Sequence, residues 1–401
     1  MLKNKNQSFS VLAMARLSSC IGYFFLFVIL RCFRASASSP SHKTAGAALF
    51  IFGDSTVDVG NNNYITTTPE NRADVKPYGQ NGFFEGPTGR FSDGRVIVDY
   101  IADYANLPLI PPFLQPSADY TYGANFASAG GGVLPDTNKG LVIDLPTQLK
   151  NFEEVEKALT EKLGEAQAKE LISEAVYFIS IGSNDYLGGY LGNPKMQETY
   201  IPEVYVGMVI GNLTNAIQAL YEKGARKFAF LSLSPLGCLP VLRALNPKAS
   251  ESDCFEAGSS LALAHNNALR AILTSLQHIL KDLKYCNSNF YNWLDDRIKN
   301  PSKFGFKDGV NACCGSGPYG GLLTCGGNKK ATEFQLCNNA DEHVWWDSFH
   351  PTERIHEQFA KALWNGPPFS VGPYNLETLF FNVEKLTIAD IVDAPDEHHF
   401  Q

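Results

Sequence analysis

The stretch AALFIFGDS occupies positions 47–55 and decides the fold class. Its first six residues are apolar without a polar break, which is the pattern of a short strand buried on both faces of a parallel sheet. Gly53 then permits a sharp backbone turn, and Ser55 follows it closely. Open α/β sheets form their ligand crevices at this place, outside the carboxyl ends of the strands. Taken alone, Ser55 also suits an ordinary turn or a helix cap.

Candidate strands and helices alternate along the rest of the chain. Apolar runs at 176–181 (VYFISI) and 227–233 (KFAFLSL) repeat the buried-strand pattern, and 289–293 is a weaker fourth candidate. Amphipathic stretches lie between these runs, at 149–174, 201–223 and 259–283. Such alternation is typical of parallel βαβ units. We therefore predict an α/β fold, built as a three-layer α/β/α sandwich around a mainly parallel sheet.

The first 37 residues have the features of a cleavable secretion signal. Basic residues precede an apolar run at 17–30, and Ala35-Ser36-Ala37 offers a small-residue cleavage site. The run is shorter than the roughly 20 residues of a spanning helix, and a short signal anchor is the alternative. The sequon at Asn212 predicts N-glycosylation after secretion.

Composition restricts the class of protein. The chain has 401 residues, 33 basic and 41 acidic, and 44% of its residues are hydrophobic. This content supports a large core and excludes a disordered chain. The net charge of −8, with no basic run, indicates a poor nucleic-acid binder, because phosphate contacts need a basic face. We predict one domain over residues 38–370, followed by a tail (371–401) of unassigned role.

The cysteines point to disulfides. Seven of the nine lie beyond the predicted signal, so at most three disulfides and one thiol are expected in an oxidising compartment. Their connectivity remains open. Four of them fall within 313–337, but no C-x₂-C pair or spaced histidine accompanies them. Zinc is therefore disfavoured, and we expect no metal.

A possible acid–base pair lies near the other end of the chain. In DSFHP at 347–351, Asp347 precedes His350 by three residues and could accept its Nδ1 proton, which leaves Nε2 as a base. The helix predicted over 352–364 would place His350 in the loop before it. The alternative is a structural histidine beside a helix-capping aspartate. The neighbouring Trp345, Trp346 and Phe349 suit either an acyl pocket or the core.

Two further motifs could stabilise a developing oxyanion. NFASAG at 125–130 opens a glycine run, in which the backbone N–H of Gly130 could act as a donor. GSND at 182–185 directly follows a predicted strand, and the Asn184 amide could donate a second hydrogen bond. A plain loop and an Asx turn are the respective alternatives.

In this order, the motifs resemble the plant GDSL esterase/lipase branch of the SGNH-hydrolase superfamily. The resemblance rests on GDSTVDVGNN at 53–62 and on the three motifs just described, and it spans about 47–365. Residues 145–171 and 313–327 are similar to secreted members linked to pathogen defence. Thr56 stands where the family's name has leucine.

The resemblance implies both a fold and a set of roles. It implies a flavodoxin-like, parallel sheet of about five strands, the SGNH hydrolase fold, with an open, shallow site. Ser55 would be the nucleophile and His350 the general base, oriented by Asp347. The N–H groups of Ser55 and Gly130 and the side chain of Asn184 would form the oxyanion hole.

The predicted function is therefore a secreted serine esterase or lipase that hydrolyses acyl or acetyl esters through an acyl-enzyme. One alternative is an acyltransferase that uses the same triad with an alcohol acceptor, and another is a non-catalytic secreted defence or binding protein. The expected partner is a small ester or lipid, with no cofactor, nucleic acid or stable membrane insertion. We expect the protein in the apoplast or cell wall, or else in the vacuole. The sequence leaves the oligomeric state open.

Overall fold

A five-stranded parallel sheet forms the centre of the fold. The computed structural model describes residues 47–246, 254–323, 325–326 and 333–382, so the predicted signal lies outside the described residues. The strands are β1 (Leu49–Gly53), β2 (Gly123–Asn125), β3 (Val176–Ser180), β4 (Lys227–Phe230) and β5 (Lys284–Asn287), and all pair in parallel in the order β2-β1-β3-β4-β5. This flavodoxin-like order confirms the predicted fold.

Every residue of β1 and β3 is buried, as their unbroken apolar sequences predict. The register aligns Leu49 of β1 with Val176 of β3, and Gly53 with Ser180. Because the strands run in parallel, the residues that follow Gly53 and Ser180 emerge at the same edge of the sheet. Both GDS and GSND therefore lie at that carboxyl edge.

Helices flank the sheet. In the described part of the chain up to residue 365, the α-helices are α1 (Ile97–Tyr104), α2 (Leu145–Leu163), α3 (Glu165–Glu174), α4 (Pro194–Thr199), α5 (Pro202–Glu222), α6 (Pro240–Ala244), α7 (Glu256–Ile279), α8 (Phe290–Lys299) and α9 (Glu353–Asn365), and a π-helical segment spans Asp185–Leu191. α1 packs against α9, whereas α5 packs against both α2 and α7. The sheet thus lies between helical layers. Among the described residues, no helix has both the length and the apolar character needed to cross a bilayer.

The sequence misplaced some elements. The strand predicted at 289–293 is wrong, because these residues begin α8, where Phe290, Leu294 and Ile298 are buried at helical spacing. The last strand of the central sheet is instead β5, just before it, and β2 was not predicted. The amphipathic stretch 149–174 is two helices, since Gly164 adopts φ of 85° and ends α2.

Three disulfides fasten the loops around the carboxyl edge, which confirms the predicted number. They join Cys238 to Cys254, Cys313 to Cys337, and Cys314 to Cys325. The seventh cysteine, Cys286, is a buried thiol that donates to the carbonyl oxygen of Val371 at 3.3 Å.

The packed body continues beyond residue 370. Two short helices, α10 (Pro368–Val371) and α11 (Leu376–Phe381), follow α9. Leu376, Leu379 and Phe380 of α11 are buried, and the rings of Phe380 and Trp364 lie 5.6 Å apart. The first part of the predicted tail therefore belongs to the core.

Candidate active site

Ser55 is positioned by tight packing at the end of β1. A methyl group on Gly53 would come within 2.4 Å of the Ser180 carbonyl oxygen on β3 and within 2.5 Å of Val57. Close approach of the two strands, and not a left-handed backbone, therefore requires this glycine. The buried Gln148 of α2 accepts from the Gly53 N–H at 2.9 Å and donates to its carbonyl oxygen at 2.8 Å. The backbone that leads to Ser55 is thus held from two sides.

A continuous hydrogen-bonded chain links Asp347, His350 and Ser55. His350 Nδ1 lies 2.8 Å from Asp347 Oδ1, and His350 Nε2 lies 2.7 Å from Ser55 Oγ. An ionised carboxylate accepts the proton on Nδ1, which leaves Nε2 to accept the serine hydroxyl. His350 also stands in the loop before α9, as predicted. The structure therefore brings together all three residues that the sequence singled out.

Tyr78 supports the carboxylate from the far side, and sequence reasoning missed it. Its hydroxyl donates to Asp347 Oδ2 at 2.7 Å. Burial and the neighbouring carboxylate raise the pKa of Tyr78 well above its usual range, so the hydroxyl keeps its proton and remains a donor. The backbone N–H groups of Phe349 and His350 also donate to Asp347 Oδ1, each at 2.9 Å. These donors fix the carboxylate that orients His350.

Unused backbone donors border Ser55. Among the described residues, none accepts a hydrogen bond from the N–H of Ser55 or from that of Gly130. Both residues line the same cavity, together with Asn184, whose Nδ2 donates to the Gly131 carbonyl oxygen at 3.0 Å. An amide nitrogen carries two hydrogens, so Asn184 has a second one to donate. These groups are suited to receive a negatively charged oxygen beside Ser55.

The motif at 53–62 (GDSTVDVGNN) holds the glycine run at 130–132 in place. Asp58 accepts from the N–H of Gly60 and of Asn61, each at 2.8 Å, and from that of Ala129 at 2.9 Å. Asn62 Nδ2 donates to the carbonyl oxygen of Ala129 at 2.9 Å. Ala129 immediately precedes Gly130. The residues after Ser55 therefore set the position of Gly130.

Asp185 holds the other end of the same run. It accepts from the N–H of Val133 at 2.8 Å, from that of Leu134 at 2.9 Å and from the Thr137 hydroxyl at 2.7 Å. A methyl group on Gly132 would lie 2.7 Å from its Oδ1. Sequence reasoning quoted Asp185 within its motif but gave it no task. The structure shows that it ties the Asn184 segment to the Gly130 segment.

Several buried carboxyls near the nucleophile are harder to ionise than usual. Burial raises the pKa of Asp54 to about 6, against the lowering effect of a hydrogen bond from the Thr56 N–H at 3.0 Å. Burial likewise raises the pKa of Asp58 to about 6 and raises that of Asp185. Hydrogen bonds from backbone donors oppose the rise in each case.

A buried histidine packs behind the third motif. His265 of α7 lies 3.1 Å from the position of a methyl group on Gly182, and its Nδ1 lies 2.9 Å from the Tyr186 hydroxyl. Complete burial lowers the pKa of His265 to about 3, so the imidazole stays neutral in the folded protein. His265 is therefore a support for the segment that carries Asn184.

A cavity of about 310 Å³ opens over the Ser55 hydroxyl. Its polar part is formed by the groups just described, with Asn71 and Asn138 beside Gly130. Thr56, Glu70, Ser183 and Ser234 also line it. The apolar part of its wall is contributed by Leu187, Leu236, Leu239, Phe290, Leu294, Leu323, Trp345, Phe349 and Pro351. Leu294 and Trp345 are fully buried, so the cavity reaches the core. The site is deeper than the resemblance implies.

The predicted aromatic residues divide between the cavity and the core. Trp345 and Phe349 line the cavity, and Phe91 joins them with its ring 4.7 Å from that of His350. Trp346 lies instead in a separate apolar cluster with Tyr78, Cys313, Cys314 and Cys325. The part of the chain that the structure describes contains no group of three His, Cys, Asp or Glu side chains that could hold a metal.

Comparison with known proteins gives a consistent picture. A family model described as GDSL-like lipase/acylhydrolase matches residues 49–363. The chain is 47% identical over 372 residues to GDSL esterase/lipase 5 of Arabidopsis thaliana, an alignment that covers 91% of this chain and 96% of the relative. It is 44% identical to GDSL esterase/lipase 4 of the same plant, with 92% and 100% covered. It is also 44% identical to the GDSL lipase of Tanacetum cinerariifolium, with 92% and 96% covered.

Proposed function

The chain belongs to the GDSL-like lipase/acylhydrolase family, and from this premise we propose that it hydrolyses carboxylic esters through an acyl-enzyme formed on Ser55. The observation that carries the proposal is the hydrogen-bonded chain from Asp347 through His350 to Ser55. It ends beneath a cavity that is polar around Ser55 and apolar beyond it.

The reaction begins with a proton transfer. His350 Nε2 takes the hydroxyl proton as Ser55 Oγ attacks the ester carbonyl carbon, and the carbonyl oxygen becomes an oxyanion. The N–H groups of Ser55 and Gly130 and the Asn184 amide donate to that oxygen. Asp347 remains ionised and stabilises the imidazolium, and Tyr78 holds Asp347 in place.

The tetrahedral intermediate then collapses. The bond to the alcohol oxygen breaks, and His350 gives its proton to the leaving alcohol, so that the acyl group remains on Ser55. Water enters, loses a proton to His350 and attacks the acyl carbon. Ser55 leaves with the proton from His350, and the carboxylic acid departs. The apolar wall of the cavity accommodates the hydrocarbon part of the ester.

The test is a chain-length series of p-nitrophenyl esters with the wild type, Ser55→Ala and a control, Ser275→Ala. Ser275 is exposed on α7, and its hydroxyl bonds within the helix to Ala271. We expect Ser55→Ala to lose nearly all turnover and Ser275→Ala to match the wild type. Equal activity of all three proteins would refute the proposal. Ester formation with an added alcohol, at the expense of free acid, would favour the acyltransferase alternative.

Secretion and glycosylation belong to the same proposal. Residues 1–37 would direct secretion, and the three disulfides are compatible with an oxidising compartment. Asn212 lies on the exposed face of α5 and would carry the glycan. Mass analysis of the secreted protein from plant cells tests both features. The expected product begins near residue 38 and loses mass on deglycosylation, and Asn212→Gln abolishes that loss.

A further inference from the structure

A second apolar space lies directly beside the catalytic cavity. We call it the outer groove and define it by its lining residues, Leu187, Leu191, Gly192, Leu242, Leu245 and Phe255, which enclose about 250 Å³. Leu187 also lines the catalytic cavity. The two spaces are therefore adjacent, and Leu187 borders both.

Separate parts of the chain hold the walls of the outer groove. Leu187 and Leu191 belong to the π-helical segment that follows Asn184. Leu242 lies on α6. Phe255 is held by the adjacent Cys238–Cys254 disulfide and by its own N–H, which donates to the Gly237 carbonyl oxygen at 2.8 Å. The groove is consequently a built feature of the fold.

The lining of the outer groove has one chemical character. Among the described residues that line it, none has a charged side chain or a side chain that can donate or accept a hydrogen bond. Leu245 at its edge is 68% exposed, which leaves a large apolar side chain in water. Covering such a side chain with hydrocarbon is favourable, whereas a polar ligand would lose its hydrogen bonds to water. The ligand that fits is an alkyl chain.

We propose that the outer groove binds a second hydrocarbon chain of the ester substrate, so that the preferred substrates are lipids with two chains. This inference rests on the proposed function, because the reacting ester must lie over Ser55. Two observations favour one substrate molecule as the occupant. The groove begins at Leu187, where the catalytic cavity also has its wall, and its volume is close to that of the cavity, about 250 Å³ against about 310 Å³.

The test compares two esters with the same reacting group, monooctanoylglycerol and dioctanoylglycerol, each kept below its aggregation concentration. The measured quantity is the ratio of kcat/KM for the two-chain ester to that for the one-chain ester. The variant is Leu245→Asp, which places a charge in the groove. The matched control is Ile279→Asp, because Ile279 is 69% exposed and ends α7 before β5, at the opposite edge of the sheet.

We expect the wild type and Ile279→Asp to share a ratio well above one, and Leu245→Asp to lower it about tenfold, within the range that one apolar contact gives in a specificity pocket. An unchanged ratio in Leu245→Asp overturns the proposal. A loss seen only with vesicles, and not with dissolved esters, also overturns it and indicates docking to a lipid surface. If Ser55→Ala hydrolyses these esters as fast as the wild type does, the proposed function itself fails. If Ser55→Ala is inactive but Leu245→Asp keeps the wild-type ratio, only the proposal for the outer groove fails.

Discussion

The hydrogen bond from Tyr78 to Asp347 leads to a prediction that distinguishes a positioning role of Tyr78 in catalysis from a merely structural role. Tyr78→Phe removes one hydroxyl and leaves the aromatic ring, which packs at 5.6 Å from Phe91 and 6.1 Å from Trp346. The lost bond is buried, 2.7 Å long and made to an ionised group. Hydrogen bonds of this kind contribute about 1.5–3 kcal/mol.

Part of the free energy of the Tyr78–Asp347 hydrogen bond stabilises the transition state of the reaction. In the transition state, Asp347 must hold the imidazolium of His350 in line with Ser55, and Tyr78 is one of the groups that fix Asp347. A loss of about 1.4 kcal/mol there corresponds to a kcat about tenfold lower. KM should stay close to the wild-type value, because Tyr78 does not line the catalytic cavity. Steady-state kinetics with a p-nitrophenyl ester measures both quantities.

The chain offers a matched control. Tyr100 also donates its hydroxyl to a buried carboxylate, at 2.8 Å from Glu353 Oε1, but it does not contact the triad. Tyr100→Phe should lower the free energy of unfolding by a similar amount, about 1–3 kcal/mol, and leave kcat unchanged. The positioning role of Tyr78 is refuted if Tyr78→Phe and Tyr100→Phe have the same kcat, whether both keep the wild-type value or both fall equally.

Three more changes test other parts of the site. Asn184→Ala removes one oxyanion donor and should lower kcat by about 10²–10³, measured with the same ester. Gly53→Ala forces its methyl group against the Ser180 carbonyl oxygen and should destabilise the fold by about 1–3 kcal/mol and lower kcat, as chemical denaturation and kinetics would show. His265→Gln should flatten the pH dependence of stability. Neutral His265 keeps a folded-state pKa of about 3, while the unfolded imidazole takes up a proton below about pH 6.5. As the pH falls from 7 to 5, His265 therefore lowers the free energy of unfolding of the wild type by about 2 kcal/mol. The variant should not show this fall.

Each of these predictions has a control and a contradicting outcome. If Asn184→Ala keeps the wild-type kcat, the Asn184 amide is not a donor in the oxyanion hole. Gly207→Ala on α5 has open space around the new methyl group and should be neutral or slightly stabilising, so an equal loss in both glycine variants would contradict the packing argument. The exposed His278 serves as the control for His265. An identical slope of stability against pH in the wild type and His265→Gln would show that the pKa of His265 is the same in the folded and unfolded states, and would contradict the prediction.

The sequence predicted the sheet best where strands are fully buried. β1, β3 and β4 carry unbroken apolar runs, so their position follows from hydrophobicity alone. β2 (GAN) and β5 (KYCN) have no such run, because one is three residues long and the other has a polar residue at each end and lies at an edge of the sheet. Aromatic content made 289–293 resemble a strand, although Phe290 and Leu294 already stand at helical spacing.

The chemical residues of the site were predictable because each lies in a short motif at the end of a strand or before a helix. Their supporting residues were not. Tyr78 is 269 positions from Asp347, and Gln148 is 95 positions from Gly53. A contact between such distant residues leaves no local pattern in one sequence. The outer groove is equally invisible, since its residues come from three separate segments.

Labelling of the nucleophile tests the central claim most directly. The protein is treated with an organophosphate that reacts with activated serines, and the modified residue is identified by peptide mass analysis while residual ester hydrolysis is followed. The account predicts one adduct, on Ser55, which forms in step with the loss of activity and is absent from His350→Ala. Full modification of Ser55 with activity retained, or loss of activity with the adduct elsewhere, would contradict it.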